Sequence, residues 1–225
     1  MERATIERIL SDAEASLTAG GPIDLKRLRF WSAVEAVKRQ PALVNAYADR
    51  IGAIDRGAFE RWVLLRIPIP VGNTLSIVVS LAGLALIGWA YRLTSLAQAL
   101  ALLAGTVIVM TATHGLTHLV VGAANGIGFT AWYVGAFARP TPGVKIDYAS
   151  YLRASPTRRA WMHGSAALVT KLVPFLSLGA GWAMSAPGWA MALLGVIAIG
   201  QIVTDILWST KSSDWKRFRR EMALA

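Results

Sequence analysis

The sequence predicts an all-α polytopic membrane protein with four transmembrane helices, an N-terminal cytosolic helical region and a short membrane-associated β-hairpin. The composition favours this class: 55% of the 225 residues are hydrophobic and 16% are charged, whereas about a quarter of a soluble domain is charged. The mean hydropathy is +0.47. Four apolar stretches are each close to the roughly 20 residues that a helix needs to cross a bilayer. Lipid is therefore the expected solvent for much of the chain.

The N-terminal region, residues 1–72, is predicted to be a helical cap at the membrane surface. Residues 1–66 hold eleven basic and nine acidic residues at helical spacing, which is typical of solvated helices. Pro41 stands where a helix can start. The stretch "RIPIPVGN" (66–73) predicts a break in the helix before the chain enters lipid.

A membrane domain is predicted over residues 73–210. Its four spans are predicted at residues 74–91, 96–121, 160–184 and 189–208. Tryptophans stand at the span ends, as interfacial aromatic residues do; they are Trp89, Trp161, Trp182, Trp189 and Trp208.

Two polar segments complete the predicted organisation. The connection 122–159 contains "GIGFTAWYVGAF", whose aromatic and β-branched residues between glycines predict a hairpin or strand pair. The tail, residues 211–225, is predicted to be a basic amphipathic helix on anionic lipid headgroups. Its membrane-surface residues are Lys211, Lys216, Arg217, Arg219 and Arg220.

The distribution of charge predicts the orientation. The net charge is +10, and all of the basic residues except Arg92 and Lys171 lie in the N-terminal region, the 122–159 connection and the tail. Four spans place all three on one side, so both termini are expected to be cytoplasmic in an integral protein of the cytoplasmic membrane. No nucleic-acid motif accompanies the charge, so no nucleic-acid partner is expected. The sequence has no cysteine, which excludes disulfides, thiolate metal sites and cysteine nucleophiles.

Histidines in an apolar run are the strongest chemical signal. "TATHGLTHLVVG" (111–122) holds His114 and His118 four residues apart, a spacing that puts both rings on one helix face. His163 begins the third span and Asp205 is the only acid in any span, all at similar depth on the cytoplasmic side. Intramembrane ionisable groups are costly and usually pair or bind something. We therefore predict a metal site at His114, His118 and Asp205, with His163 as a fourth ligand.

Zinc suits this nitrogen and oxygen ligand set, and another divalent first-row metal would also fit. Hydrogen bonds that support the ligands and fix the ring tautomers are expected from Thr113, Thr117, Thr204 and Gln201. A second interpretation has the histidines as internal hydrogen-bond donors, for example to Asp205, in a non-enzymatic scaffold or assembly subunit that docks a membrane protein partner. Haem ligation by His114 or His118 with His163 is a third interpretation. Transport is a fourth, although the sequence has no repeated half.

The chain resembles the site-2 protease family of intramembrane zinc metalloproteases. That family carries H-E-x-x-H on a transmembrane helix, then a membrane-associated strand region, and a later span supplies an aspartate ligand. Here "HGLTH" (114–118) matches the two histidines, and "GAANGIGFTAWYVGAF" stands where the strand region would be. "RRAWMHGSAALVTKLVPF" is placed like the small-residue helix, and "QIVTDILWST" offers Asp205 at the aspartate position.

The resemblance implies a zinc site on a hydrolase layout, with a membrane protein as substrate. It is degenerate, since Gly115 stands where the family has the glutamate general base that activates water. The resemblance therefore implies an inactive relative or a hydrolase with altered catalytic residues. Asp147 in the connection is one candidate for a replacement base.

Overall fold

The computed structural model describes residues 1–20, 23–135, 142–208 and 213–225, and it divides into two compact units. The predicted fold class is confirmed: long apolar helices dominate and one small antiparallel sheet accompanies them. The elements in chain order are α1 (Arg3–Thr18), α2 (Phe30–Lys38), α3 (Pro41–Trp62), β1 (Leu65–Ile67), α4 (Ile69–Ala90), α5 (Ser95–Ala124), β2 (Phe129–Val134), β3 (Pro142–Ile146), α6 (Tyr148–Arg153), α7 (Pro156–Ala183), α8 (Gly188–Leu207) and α9 (Asp214–Met222).

The first unit comprises residues 1–69 and 125–155 and has its own apolar core. Helices α1, α2 and α3 each bury one apolar stripe in that core, as amphipathic helices do. The fully buried side chains include Ile6, Leu10, Phe30, Val34 and Ile51. Burial of these side chains stabilises the unit by roughly 1.5–3 kcal/mol for each large one.

Ion pairs tie the outer faces of the first unit together. Arg50 on α3 donates to Glu7 at 2.6 Å and to Glu14 at 2.8 Å, both on α1. Hydrogen bonds from Arg50 outweigh burial and hold the pKa of Glu14 below its usual range. On another face of α3, Lys145 of β3 donates to Asp55 at 2.5 Å. The sheet is thereby anchored to α3.

The sheet has the order β1-β2-β3 and both pairings are antiparallel. Leu65 pairs with Val134, and Trp132 pairs with Val144. The predicted hairpin segment "GIGFTAWYVGAF" contributes β2 alone, and the partner strands come from before and after it. The last two residues of that segment, 136–137, lie outside the described residues.

The second unit contains the four apolar helices α4, α5, α7 and α8, together with α9. All four are long and apolar enough to cross a membrane, which indicates membrane insertion. Their bounds agree with the predicted spans to within five residues at each end. Most of their large apolar side chains are exposed, such as Leu81, Val120, Leu176 and Val196, as expected where lipid covers the surface.

Glycines allow α4 and α5 of this unit to approach each other closely. A Cβ added to Gly105 of α5 would lie 2.8 Å from the carbonyl oxygen of Gly83 on α4. Small residues at such crossings let two helix backbones approach and gain van der Waals contact, which drives helix association in lipid. α5 also packs along α7, and that contact builds the site.

Candidate metal centre

Three helices of the second unit, α5, α7 and α9, bring a group of ionisable side chains together. His114 and His118 lie one turn apart on α5, with their ring centroids 4.9 Å apart. His163 of α7 lies opposite, 5.7 Å from the His118 ring. Asp214, at the start of α9, lies between them. The structure thus brings together the three histidines predicted from the sequence.

Hydrogen bonds to acceptors on α7 determine which nitrogen of each α5 histidine carries a proton. His118 Nδ1 lies 3.0 Å from the carbonyl oxygen of Met162, which can only accept. His114 Nδ1 lies 2.8 Å from Thr170 Oγ1, and that hydroxyl donates to the Ala166 carbonyl at 2.8 Å. Both Nδ1 atoms are therefore donors, and each neutral ring presents a bare Nε2 lone pair.

Both of these Nε2 atoms face the same carboxylate oxygen. Asp214 Oδ2 lies 3.2 Å from His114 Nε2 and 3.2 Å from His118 Nε2. α9 fixes the position of Asp214, since the Ser213 side chain caps that helix by accepting from the Lys216 amide at 3.3 Å. Asp214 is the first residue of the capped helix.

Three acceptor atoms that converge in this way repel one another unless a positive charge lies among them. Two imidazolium rings could supply this charge, but their centroids lie only 4.9 Å apart and the two positive rings would repel each other. A single divalent ion satisfies all three lone pairs at once. The donor chemistry of the cluster therefore fits a metal better than it fits a pair of protons.

The spacing of the cluster also fits a metal. One ligand atom from each of His114, His118 and Asp214 lies within 4.8 Å of the others. Zinc ligands at about 2.0–2.2 Å in tetrahedral geometry stand about 3.3 Å from each other, and the two nitrogen–oxygen distances are 3.2 Å. The three side chains could hold the ion with small adjustments.

His163 contacts the other oxygen of the same carboxylate. Its Nδ1 lies 3.3 Å from Asp214 Oδ1, and its side chain is 3% exposed. A hydrogen bond donated by the His163 ring would favour the ionised form of Asp214 over the neutral one, and the ionised carboxylate is the form that binds a metal. His163, predicted as a fourth ligand, is placed to orient Asp214.

α9 is held on α7 by a buried ion pair and by an aromatic ring. Arg159 Nε donates to Glu221 Oε2 at 2.6 Å, and these side chains are 2% and 5% exposed. The Phe218 ring stacks on Trp215 at 5.2 Å and packs edge-on against Trp161 at 5.5 Å. This docking holds Asp214 beside the histidines.

Gly164 makes room for that ring. A Cβ added at Gly164 would lie 2.6 Å from Phe218 Cδ2, and the two tryptophans leave the ring little freedom to retreat. We expect Gly164→Ala to weaken α9 docking by about 1–3 kcal/mol, the usual cost of overpacking. Faster amide hydrogen exchange in α9 would measure it. Gly179→Ala, also on α7 but with nothing within 4 Å of the added Cβ, is the control and should leave exchange unchanged.

The acid that the structure brings to the histidine pair is Asp214, whereas the sequence prediction assigned Asp205. Asp205 on α8 instead forms an ion pair with Lys171 on α7. Depth in the membrane made Asp205 the natural candidate, but the Lys171 ammonium neutralises this carboxylate. Asp205 nevertheless lines the same cavity as His114 and Asp214, a space of about 200 Å³.

The residues predicted to support the ligands by hydrogen bonds make other contacts. Thr113 and Thr117 donate to the carbonyls of Val109 and Thr113 on their own helix. Thr204 donates to the Gln201 carbonyl at 3.2 Å, and Gln201 donates to Met110 Sδ at 3.3 Å. The groups that orient the rings are the Thr170 hydroxyl and the Met162 carbonyl. Sequence reasoning missed both, and the only available signal for Thr170 was a hydroxyl in an apolar span.

Four of the basic residues of the tail lie on α9 with Asp214. Arg219 and Arg220 are exposed, and Lys216 is half-buried. Arg217 is also half-buried, and its Nη1 lies 3.9 Å from Asp214 Oδ1. Lys211, also predicted at the membrane surface, lies outside the described residues. α9 is therefore both a docked helix and a basic one.

The fold and the cluster define a class: a four-span helical membrane protein with a histidine and carboxylate cluster that could hold a metal ion. Comparison with protein-family models, curated sequences and solved structures finds no match. The site must therefore be interpreted from its own chemistry.

Proposed function

We propose that this chain is an integral membrane protein that binds one divalent first-row metal, zinc by preference, through His114, His118 and Asp214. The observation that carries the proposal is the convergence of two Nε2 lone pairs on one carboxylate oxygen at 3.2 Å. Two imidazoles and one carboxylate are a common catalytic zinc set, which leaves a further position open. Because His114 and Asp214 line the 200 Å³ cavity, an ion held by them would face that space.

We further propose that the site is built on a layout like that of the site-2 proteases. Support comes from the H-x-x-x-H spacing in the second apolar helix, the strand that follows it and the small-residue helix α7. Two features differ from that family: the carboxylate comes from a helix after the last apolar helix, and Gly115 cannot act as a base. The chain is therefore proposed to be inactive or atypical as a peptidase. The excess of basic residues supports a cytoplasmic membrane location with cytoplasmic termini.

Metal content of purified protein tests the proposal. The wild type, purified in detergent with zinc present, should retain about one equivalent of tightly bound zinc, as expected of one three-ligand site. His114→Ala/His118→Ala should fall to background, and Asp214→Asn should weaken zinc binding by more than about 100-fold, the upper range for loss of an outer-shell partner. Elemental analysis and competition with a chelator provide the two measurements.

Asp205→Asn is the matched control, because it also removes a carboxylate that lines the cavity but leaves the proposed ligands intact. It should retain zinc. Loss of zinc from Asp205→Asn but not from Asp214→Asn would assign the carboxylate ligand to Asp205. Equal metal content in the wild type and the double histidine variant would refute the metal site and favour a scaffold whose histidines are only hydrogen-bond partners.

A further inference from the structure

The cavity beside the cluster is also lined by a second charged pair. This space of about 200 Å³ is lined by His114 and Asp214 of the candidate site and also by Lys171, Asp205, Thr204 and Gln201. It exceeds the roughly 150 Å³ of an apolar cavity that binds benzene. A cavity lined by this many polar groups can hold several water molecules or a small polar ligand.

Asp205 keeps one oxygen available to that cavity. Lys171 Nζ contacts Oδ2, and no other hydrogen bond to the Asp205 side chain occurs among the described residues. The side chain is 25% exposed. Lys171 itself is held in place, since it also donates to the Ala167 carbonyl at 3.3 Å and lies 6.0 Å from the Trp215 ring centre. The ammonium thus positions the carboxylate without covering both of its oxygens.

A charged pair in an apolar helix pair is expensive to maintain. Ionisable residues within membrane spans usually mark functional sites, and a buried pair is often no more stabilising than apolar side chains of the same volume. Stability alone is therefore a weak reason for Lys171 and Asp205 to be there. A stronger reason is their position, because both line the same cavity as His114 and Asp214.

We propose that Asp205 is the proton acceptor of this site in the hydrolysis of a small carbonyl substrate, an ester or an amide, and that Lys171 is its positioning residue. This inference rests on the proposed metal function, because the ion would supply the polarisation of the carbonyl group. In this proposal Asp205 takes the role of the general base that Gly115 cannot provide. The other candidate base from the sequence, Asp147, caps α6 by accepting from the Ser150 amide and pairs with Arg56 at 3.2 Å.

The proposed step is balanced in atoms and charge. A water molecule in the cavity forms a bond from its oxygen to the carbonyl carbon and gives a proton to Asp205, while the carbonyl π electron pair moves to the carbonyl oxygen. That pair then re-forms the double bond as the carbon–oxygen or carbon–nitrogen bond to the leaving group breaks, and Asp205 returns the proton to that group or to solvent. Positioned acid–base residues of this kind contribute typically 10²–10⁴-fold to a rate. No oxidant or further reactant is needed.

Zinc-loaded full-length protein in detergent, with p-nitrophenyl acetate as the ester probe, tests the step. Asp205→Asn should retain zinc but release p-nitrophenolate at least about 100-fold more slowly. Asp205→Glu, which keeps a carboxylate, should recover part of the rate. Lys171→Met should keep zinc and lose less rate than Asp205→Asn.

An Asp205→Asn rate equal to that of the wild type at equal zinc content would overturn the proposal. So would a wild-type rate no higher than that of zinc-free His114→Ala/His118→Ala. Zinc content reports the proposed function and the rate reports Asp205, so failure of one is distinguishable from failure of the other. If the protein binds zinc but does not hydrolyse the ester, the result would support the metal site and refute Asp205 as a proton acceptor.

A labelling experiment tests the placement of Asp205 without any turnover. Because the sequence has no cysteine, Asp205→Cys and Ile206→Cys each introduce a single thiol on α8. Ile206 is apolar and 65% exposed, as a lipid-facing residue would be. In liposomes, a charged methanethiosulfonate should modify Cys at position 205 through the hydrated cavity and leave position 206 unmodified. Equal reaction, or faster reaction at 206, would refute a water-filled cavity at Asp205.

Discussion

Replacing Glu221 with alanine is expected to release α9 from α7. The substitution removes the carboxylate that pairs with the buried Arg159 guanidinium, which is 2% exposed. Removing one member of a buried ion pair costs about 3–5 kcal/mol. Amide hydrogen exchange in α9 should accelerate by about 100-fold or more, since each 1.4 kcal/mol is a factor of ten.

The same substitution should weaken zinc binding, because Asp214 is carried on α9. Docking of α9 and binding of the ion are coupled, and such coupling is reciprocal: zinc should slow exchange in α9 of the wild type. Asp214→Asn separates the two effects, since it removes the proposed ligand but keeps the Arg159–Glu221 pair.

The double variant Arg159→Leu/Glu221→Leu is the control for Glu221→Ala. Replacing both members of a buried pair by apolar side chains is often neutral or stabilising, so α9 should dock again and zinc binding should recover. Unchanged exchange in Glu221→Ala would show that α9 does not depend on the pair. Loss of docking in the double variant as well would indicate a specific requirement for charge.

The apolar spans could be predicted because length and composition alone define them. Two predicted boundaries differ from the structure because a proline lies in the first turn of each helix. Pro70 lies in the first turn of α4 and Pro156 is the first residue of α7, positions where the missing amide hydrogen costs nothing. The spans therefore start four or five residues before the predicted residues 74 and 160.

The histidine pair could be predicted from its spacing, but its carboxylate partner could not. Asp214 lies in a tail whose charge pattern is that of a surface helix. The tail docks because Glu221 forms a buried ion pair with Arg159. Charged residues are usually exposed, so the sequence pattern predicts a surface position for both of them. Similarly, Thr113 and Thr117 are near the histidines in sequence, but their hydroxyls bond to carbonyls of the preceding turn, as threonines in helices often do. Thr170, which contacts His114, comes from another helix.

A second large effect is expected in the first unit, where the stability lost on replacing Lys145 should depend on pH. Lys145→Met leaves the Asp55 carboxylate, whose side chain is 8% exposed, without the ammonium that balances it. At pH 7 we expect a loss of about 3–5 kcal/mol in the free energy of unfolding. Hydrogen exchange of the α3 amides, corrected for the intrinsic exchange rate at each pH, measures it.

The loss should shrink as the pH falls. Burial raises the pKa of Asp55 above its ordinary value of 3.8, and Lys145 opposes that rise. A carboxyl whose pKa is higher in the folded state binds its proton more tightly when folded, so stability declines as the pH rises through that pKa. Without Lys145 the pKa of Asp55 rises further, and the decline extends to higher pH. As the pH falls below that raised pKa, the carboxyl of the variant becomes neutral and the difference from the wild type should become small.

Asp55→Asn/Lys145→Met separates charge from packing. The amide has nearly the same shape as the carboxyl and carries no charge, so this variant should be more stable than Lys145→Met at pH 7 and should lack its pH dependence. A loss in Lys145→Met that stays constant between pH 4 and pH 7 would contradict the electrostatic cause. It would instead trace the effect to the contact of Lys145 with Phe59, where the ammonium lies 5.1 Å from the ring centre, because that contact does not titrate in this range.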